Sequence, residues 1–280
     1  MKIGFIGTGN MGGAILKGYA NSPASDGNEI LIHNKLTEHN SVMADAMSLS
    51  GSAKTSIRIC NDNKDLADQS DIIIIGVKPN NVDDVLHEIA PAEGKIIISM
   101  AAGTSIASME GYLNEASAGS GDAVKLIRIM PNTPAQVGAA MTAMCRNANV
   151  SDTDFALAKT IFDSIGRAEE VSEDLIDCVI GVSGSSPAYT FMYLEALAKA
   201  AVSNGMAPTK ARVFACQAVI GAATLALESK ESLEQLRINV CSPGGTPIEA
   251  VKKLQANGFM DDVAEAFQAA VDRSKEMTAQ

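Results

Sequence analysis

Tryptophan is absent, histidine occurs three times in 280 residues, and aromatic side chains make up 4% of the chain. His33, His39 and His87 show no ligand-like spacing, so no metal is expected. The five cysteines (Cys60, Cys145, Cys178, Cys216 and Cys241) include no C-x-x-C pair, and an odd, scattered set reads as reduced thiols of a cytoplasmic protein. The uncharged stretch from Cys178 to Leu194 is too short, and too broken by Gly181, Gly184, three serines and Pro187, to span a bilayer. Glycines interrupt the first apolar run, which is not the pattern of a signal peptide. Basic excess is missing too: 22 Lys and Arg against 33 Asp and Glu leave a net charge of −11, which argues against nucleic acid or an anionic membrane as the main partner. With 46% hydrophobic and 20% charged residues, the chain has the composition of a soluble globular protein of one large domain or two ordinary ones.

The chain begins with MKIGFIGTGNMGGAI. Lys2 to Ile6 is a short apolar run, the pattern of a buried parallel strand. Gly7, Thr8, Gly9, Asn10, Met11 and Gly12 come directly after it, and Ala14, Ile15, Leu16 and Tyr19 recur at helical spacing. Strand, G-x-G-x-x-G and helix in that order form a dinucleotide-binding fingerprint. Gly7 permits the tight turn, Gly9 lets the backbone approach a pyrophosphate, and Gly12 lets the helix lie close on the strand with its free N–H groups toward the phosphates.

Glu29 to His33 reads as the second strand, and the residues at its end bear on the cofactor. An NAD-binding chain commonly carries Asp or Glu about twenty residues past the glycines, to accept from the ribose 2′-OH. Here the residues are His33, Asn34 and Lys35, where Asn34 could donate to a 2′-phosphate and Lys35 could neutralise it. NADPH is therefore the expected cofactor, with NADH possible. Glu38 to Leu49 looks helical. Asp71 to Val77 is the most strand-like run in the chain and ends in Lys78-Pro79. Lys95 to Met100 is the next strand, and the small residues Ala101, Ala102 and Gly103 after it leave room for the flat nicotinamide ring. Lys125 to Met130 runs into Pro131-Asn132-Thr133-Pro134 at the same edge, and Met141 to Cys145 reads as a further strand. Gly166 to Val171 leads to a change of composition, beyond which no strand is expected.

From Glu173 onward the pattern is helical. The expected organisation is a dinucleotide-binding Rossmann domain over 1–171 and an all-helical domain over 172–280. Ala188 to Val202 is apolar on most faces, and a small domain can bury such a helix only in part, which points to a helical dimer interface. The substrate is expected in the cleft between the domains. No histidine falls at the reactive edge, and Gly184 to Glu195 holds neither Lys nor Asn, which weakens the case for alcohol oxidation. A protonated C=N acceptor is already electrophilic and asks mainly for orientation and desolvation. The glycines of Ser242 to Thr246, ahead of a helix from Ile248, form a candidate carboxylate site.

Several segments together resemble pyrroline-5-carboxylate reductase over nearly the whole chain. They are IGFIGTGNMGGAI, GVKP at 76–79, SMAAG at 99–103, RIMPNTP at 128–134, EDLID at 173–177, SGSSPAY at 183–189, EALAKA at 195–200 and NVCSPGG at 239–245. The resemblance implies an α/β fold, with an N-terminal Rossmann-type doubly wound sheet followed by an all-α dimerisation domain. It implies NAD(P)H-dependent reduction of 1-pyrroline-5-carboxylate to L-proline, the last step of proline synthesis. Cofactor contacts are then implied at the glycine loop, Asn34, Lys35, Asn63, Val77, Lys78, Pro79, Ala101 and Ala102. Substrate contacts are implied at Asn239, Ser242, Gly244, Gly245 and Thr246, with a neighbouring subunit completing the site. A homodimer is implied as well, with a larger ring of dimers open. One departure stands out: the family places a threonine two positions after the double glycine, and its hydroxyl bonds the ring nitrogen. Here Pro247 stands there and Thr246 comes one position early, so Thr246 is the candidate catalytic group. Two alternatives are a reductase of another cyclic imine acid, such as the six-membered homologue, and a non-catalytic NADPH-binding regulatory protein.

Overall fold

The computed structural model describes residues 1–36, 40, 55–117 and 124–278. The helix expected over Glu38 to Leu49 lies outside these residues apart from Asn40. The chain forms two compact units, one of Met1–Gly184 with the stretch from Ala270 onward, the other of Ser185–Ala269. The boundary expected near Ser172 lies within the first of these units.

The first unit is built on an eight-stranded sheet. Its strands are β1 (Lys2–Ile6), β2 (Glu29–His33), β3 (Ser56–Ile59), β4 (Ile72–Ile75), β5 (Ile96–Ser99), β6 (Lys125–Met130), β7 (Ala140–Arg146) and β8 (Gly166–Glu170). Their spatial order is β3-β2-β1-β4-β5-β6-β7-β8. The pairings from β3 through β6 are parallel, β6 and β7 run antiparallel, and β7 pairs parallel with β8. Continuous isoleucine runs such as 72–75 suit strands covered on both faces, and alternation sends their side chains to two separate cores. Ile3, Phe5, Ile72, Ile74 and Ile98 meet α1 (Asn10–Ala20) and, further on, Phe155 to Phe162. Ile6, Leu31, Ile73, Ile75 and Ile97 meet α2 (Asn63–Gln69), α3 (Val82–Ile89) and α4 (Ile106–Ala116). Burying one such isoleucine contributes roughly 1.5–3 kcal/mol.

The order reverses between β1 and β4, and in open α/β sheets ligands bind at the carboxyl ends of the strands beside that point. The glycine loop after β1 and Val77 after β4 both lie there. Beyond β7 come α5 (Asp152–Asp163) and β8. Asp174 to Val182, expected as one helix, is instead a 3-10 turn at Glu173–Leu175, the single α-turn α6 (Ile176–Val179) and a π-helical turn at Ile180–Gly184.

The second unit is helical: α7 (Ser186–Ser203), α8 (Pro208–Glu228), α9 (Leu233–Val240), α10 (Thr246–Ala256) and the start of α11 (Phe259–Thr278). Tyr193 and Phe259 pack with ring centroids 6.5 Å apart. Much of its apolar surface is uncovered, including Phe191, Met192, Phe214, Ile220 and Leu227. By length and composition alone α8 could cross a membrane. The end of α11 belongs to the first unit, where Ser274 Oγ donates to Asp177 Oδ1 at 2.5 Å.

Candidate active site

The glycine loop is shaped by close backbone contact. Gly7 has φ +85, a left-handed conformation that favours glycine. Its N–H bonds His33 O at 3.0 Å, and the N–H of Gly76 bonds Ile6 O at 2.8 Å. A Cβ at Gly12 or at Gly76 would collide with the carbonyl oxygen of Gly7, so the loop after β1, the start of α1 and the end of β4 need all three glycines. Gly9 differs. A Cβ there would meet no atom within 4 Å, so packing within the chain does not require glycine; the space is open to an incoming group. Gly9 caps α1 with no side-chain hydrogen bond, and the first turn carries no acidic residue. Unclaimed N–H groups and a positive helix end suit a pyrophosphate.

A cavity of about 340 Å³ lies beside this loop, lined among others by Gly7, Asn34, Lys35, Asn63, Val77 and Glu88. It brings together five of the residues expected at the cofactor. A second cavity, of about 700 Å³, is lined by Thr8, Gly9, Asn10, Lys17 and Gln136 among others. Met11 and Gly12 form the helix start, and Lys78 and Pro79 are exposed after β4. Ala101 is buried and Ala102 half-buried, just ahead of Gly103 with φ +79. Gly103 sits against the end of α11, where a Cβ would lie 3.1 Å from the Met277 carbonyl oxygen.

Asn34 departs from expectation. Both its amide hydrogens are engaged within the protein, on Thr8 Oγ1 and on Asn40 Oδ1, each at 2.8 Å, which leaves its side chain no N–H for a phosphate. Lys35 is exposed at the cavity and carries the positive charge there. Asn63 Nδ2 donates to Glu88 Oε2 at 2.5 Å, while its buried Oδ1 has no partner among the described residues. A buried acceptor without a donor at the cavity wall fits an adenosine ribose hydroxyl or amine. The preceding turn is held by Asp65, whose carboxyl the Asn61 backbone N–H draws below its usual range. Sequence reasoning missed Asp84 and Glu88, which also line this cavity. They lie on the polar face of α3, and no local pattern announces their approach to β2.

The substrate candidates gather on the second unit. Asn239 at the end of α9 donates to Glu231 Oε2 at 2.7 Å and accepts from Gln235 Nε2 at 2.8 Å. The loop to α10 turns through Gly244 at φ +73, and Gly245 N bonds Ser242 O at 3.0 Å. Thr246 is the first residue of α10 and exposed; Gly245 caps the helix without a side-chain bond. Pro247 stands at the second helical position, which tolerates it because an N–H there would have no intrahelical partner. This removes one of the donors a helix start could offer a carboxylate.

Known proteins match the chain over nearly its full length. The chain is 39% identical to the pyrroline-5-carboxylate reductase of Escherichia coli over 279 residues, covering 99% of this chain and 98% of that protein. The chain belongs to the pyrroline-5-carboxylate reductase family. Human pyrroline-5-carboxylate reductase 2 is 34% identical over 279 residues, covering 99% of this chain and 84% of its own length. Residues 173–277 match the family model "Pyrroline-5-carboxylate reductase dimerisation", and residues 2–103 match "NADP oxidoreductase coenzyme F420-dependent". The crystal structure of the Plasmodium falciparum member, with NADP bound, superposes with a TM-score of 0.81 at 31% identity, covering 99% of this chain and 98% of that one. The Coxiella burnetii member superposes with a TM-score of 0.84 at 33% identity and the same coverage. The α/β fold with a helical second half is thus that of the family.

Proposed function

We propose that this chain reduces 1-pyrroline-5-carboxylate to L-proline with NADPH, in the cytoplasm and as a homodimer joined through its helical unit. The observation that carries the reading is near-full-length identity with reductases of that name, on a chain whose glycine loop leaves open space above Gly9. Bound NADPH supplies the hydride, which adds to the C=N carbon, while the ring nitrogen ends with one proton and the cofactor leaves oxidised.

The residues divide the work by position. The glycine loop and α1 receive the pyrophosphate, Lys35 meets the 2′-phosphate, and Ala101 and Ala102 leave room for a flat ring. Ser242, Gly244, Gly245 and the start of α10 receive the carboxylate, with Asn239 beside them. The imine can arrive protonated, so the chain's main tasks are to orient and desolvate it. Support for the homodimer comes from the dimerisation match over 173–277 and from Phe191, Phe214 and Leu227, apolar and exposed on the single chain. A larger ring of dimers is compatible with this surface. Free cysteines throughout accord with a reducing compartment.

Pro247 favours one second reading, the six-membered cyclic imine acid as substrate, because the ring-nitrogen contact is changed. Turnover of the two imines with NADPH, measured side by side, tests both: higher kcat/KM on the six-membered ring would replace the first reading by the second.

A further inference from the structure

Asn34 and Thr8 are both buried, with 6% and 5% of their surface exposed, and they engage each other twice. Thr8 N donates to Asn34 Oδ1 at 2.6 Å, and Asn34 Nδ2 donates back to Thr8 Oγ1 at 2.8 Å. The second amide hydrogen is anchored on Asn40 Oδ1 at 2.8 Å. The paired bonds fix both the backbone and the side chain of Thr8. This matters because Thr8 stands between two glycines, Gly7 at φ +85 and Gly9, whose backbones are the least restrained in the loop. Without the Asn34 bonds, the loop would sample many shapes and binding would have to order it.

We propose that Asn34 is a positioning residue. It holds Thr8, and through it Gly9 and Asn10, in the shape that receives the cofactor pyrophosphate, and it takes no part in distinguishing cofactors with and without a 2′-phosphate. That distinction rests on Lys35, exposed in the same cavity. The inference depends on the glycine loop being the cofactor site.

The test measures Kd and KM for NADPH and NADH, with the thermal midpoint, on the full chain and its variants. For Asn34→Ala, the expected result is a rise of about tenfold in Kd for both cofactors by the same factor, since both buried bonds to Thr8 are lost along with the one to Asn40. The NADPH-to-NADH ratio stays unchanged, and KM moves more than kcat. In Asn34→Asp the carboxylate still accepts from Thr8 N–H, and the threonine hydroxyl can turn to donate. This variant recovers most of the NADH affinity lost in Asn34→Ala, and it remains informative if the alanine variant fails to fold. A loss confined to NADPH in Asn34→Ala would overturn the inference in favour of direct phosphate contact. A lowered midpoint with both affinities unchanged would overturn it in favour of a purely structural role. Gly9→Val checks the siting separately, since its side chain would enter open space rather than the protein. Undiminished NADPH affinity in that variant would remove the site on which the inference stands, whatever Asn34 does.

Discussion

Among single residues, the proposed function assigns a charge to Lys35 in the first unit and a hydroxyl to Thr246 in the second. Lys35→Ala removes the positive charge at the 340 Å³ cavity. Its expected effect is a rise of about tenfold in KM for NADPH, about 1.4 kcal/mol, with KM for NADH unchanged; initial rates at varied cofactor measure it. Thr246→Ala removes the hydroxyl adjacent to Pro247 at the start of α10. If Thr246 bonds the ring nitrogen, the cost is about 1 kcal/mol, a several-fold fall in kcat/KM for the imine. Unchanged kinetics would remove Thr246 from the catalytic role and leave the protonated imine to react unaided. The glycine loop was legible from the sequence because its requirements are local: a strand, a turn only glycine fits and a helix. The Asn34 pairing was not, because its partner lies 26 residues away and nothing in the segment around Asn34 specifies that approach.

Among the elements, legibility followed burial. Strands β1, β2, β4, β5 and β6 carry apolar runs because they are covered on both faces, and their positions could be read directly. Strand β8, Gly-Arg-Ala-Glu-Glu, was missed: it lies at the sheet edge and buries only Ala168 fully, so its sequence is polar. The irregular turns that replace the single helix expected over Asp174 to Val182 are hidden in the sequence because apolar spacing continues through them. Their geometry is set by contacts distant in sequence. Glu173 Oε1 accepts from Arg128 Nη1 and from the Ile106 backbone N–H, both at 2.8 Å, and Asn132 Nδ2 donates to Ser183 O at 3.0 Å. The Arg128 side chain is 5% exposed, so removing its partner leaves a buried charge unpaired. Glu173→Ala is therefore expected to destabilise the protein by about 3 kcal/mol in urea unfolding, more than an exposed ion pair would. A change within about 0.5 kcal/mol would show that Arg128 finds another partner.

For the molecule as a whole, the helical unit cannot bury its own apolar side chains. Phe191 and Phe214 are 64% and 65% exposed, Leu227 76%. Such a surface calls for a partner, and the match to the family's dimerisation region makes a second copy of the chain the expected one. Phe214→Glu is expected to shift the protein from dimer to monomer in sedimentation or light scattering, and to lower turnover if a neighbouring subunit completes the substrate site. A dimer of undiminished mass would place Phe214 outside the contact. The two-unit plan was legible from the switch of strand to helical pattern, whereas the return of the end of α11 to the first unit was not, since Ser274 meets Asp177 across 97 residues.

The reaction itself is tested by loss of reduced-nicotinamide absorbance with NADPH and 1-pyrroline-5-carboxylate, with L-proline assayed as product. The expected result is a rate that requires protein and both reactants, yields one proline per NADPH oxidised, and exceeds the rate on the six-membered imine. NADPH binding without consumption on either imine would show that the protein is not an imine reductase.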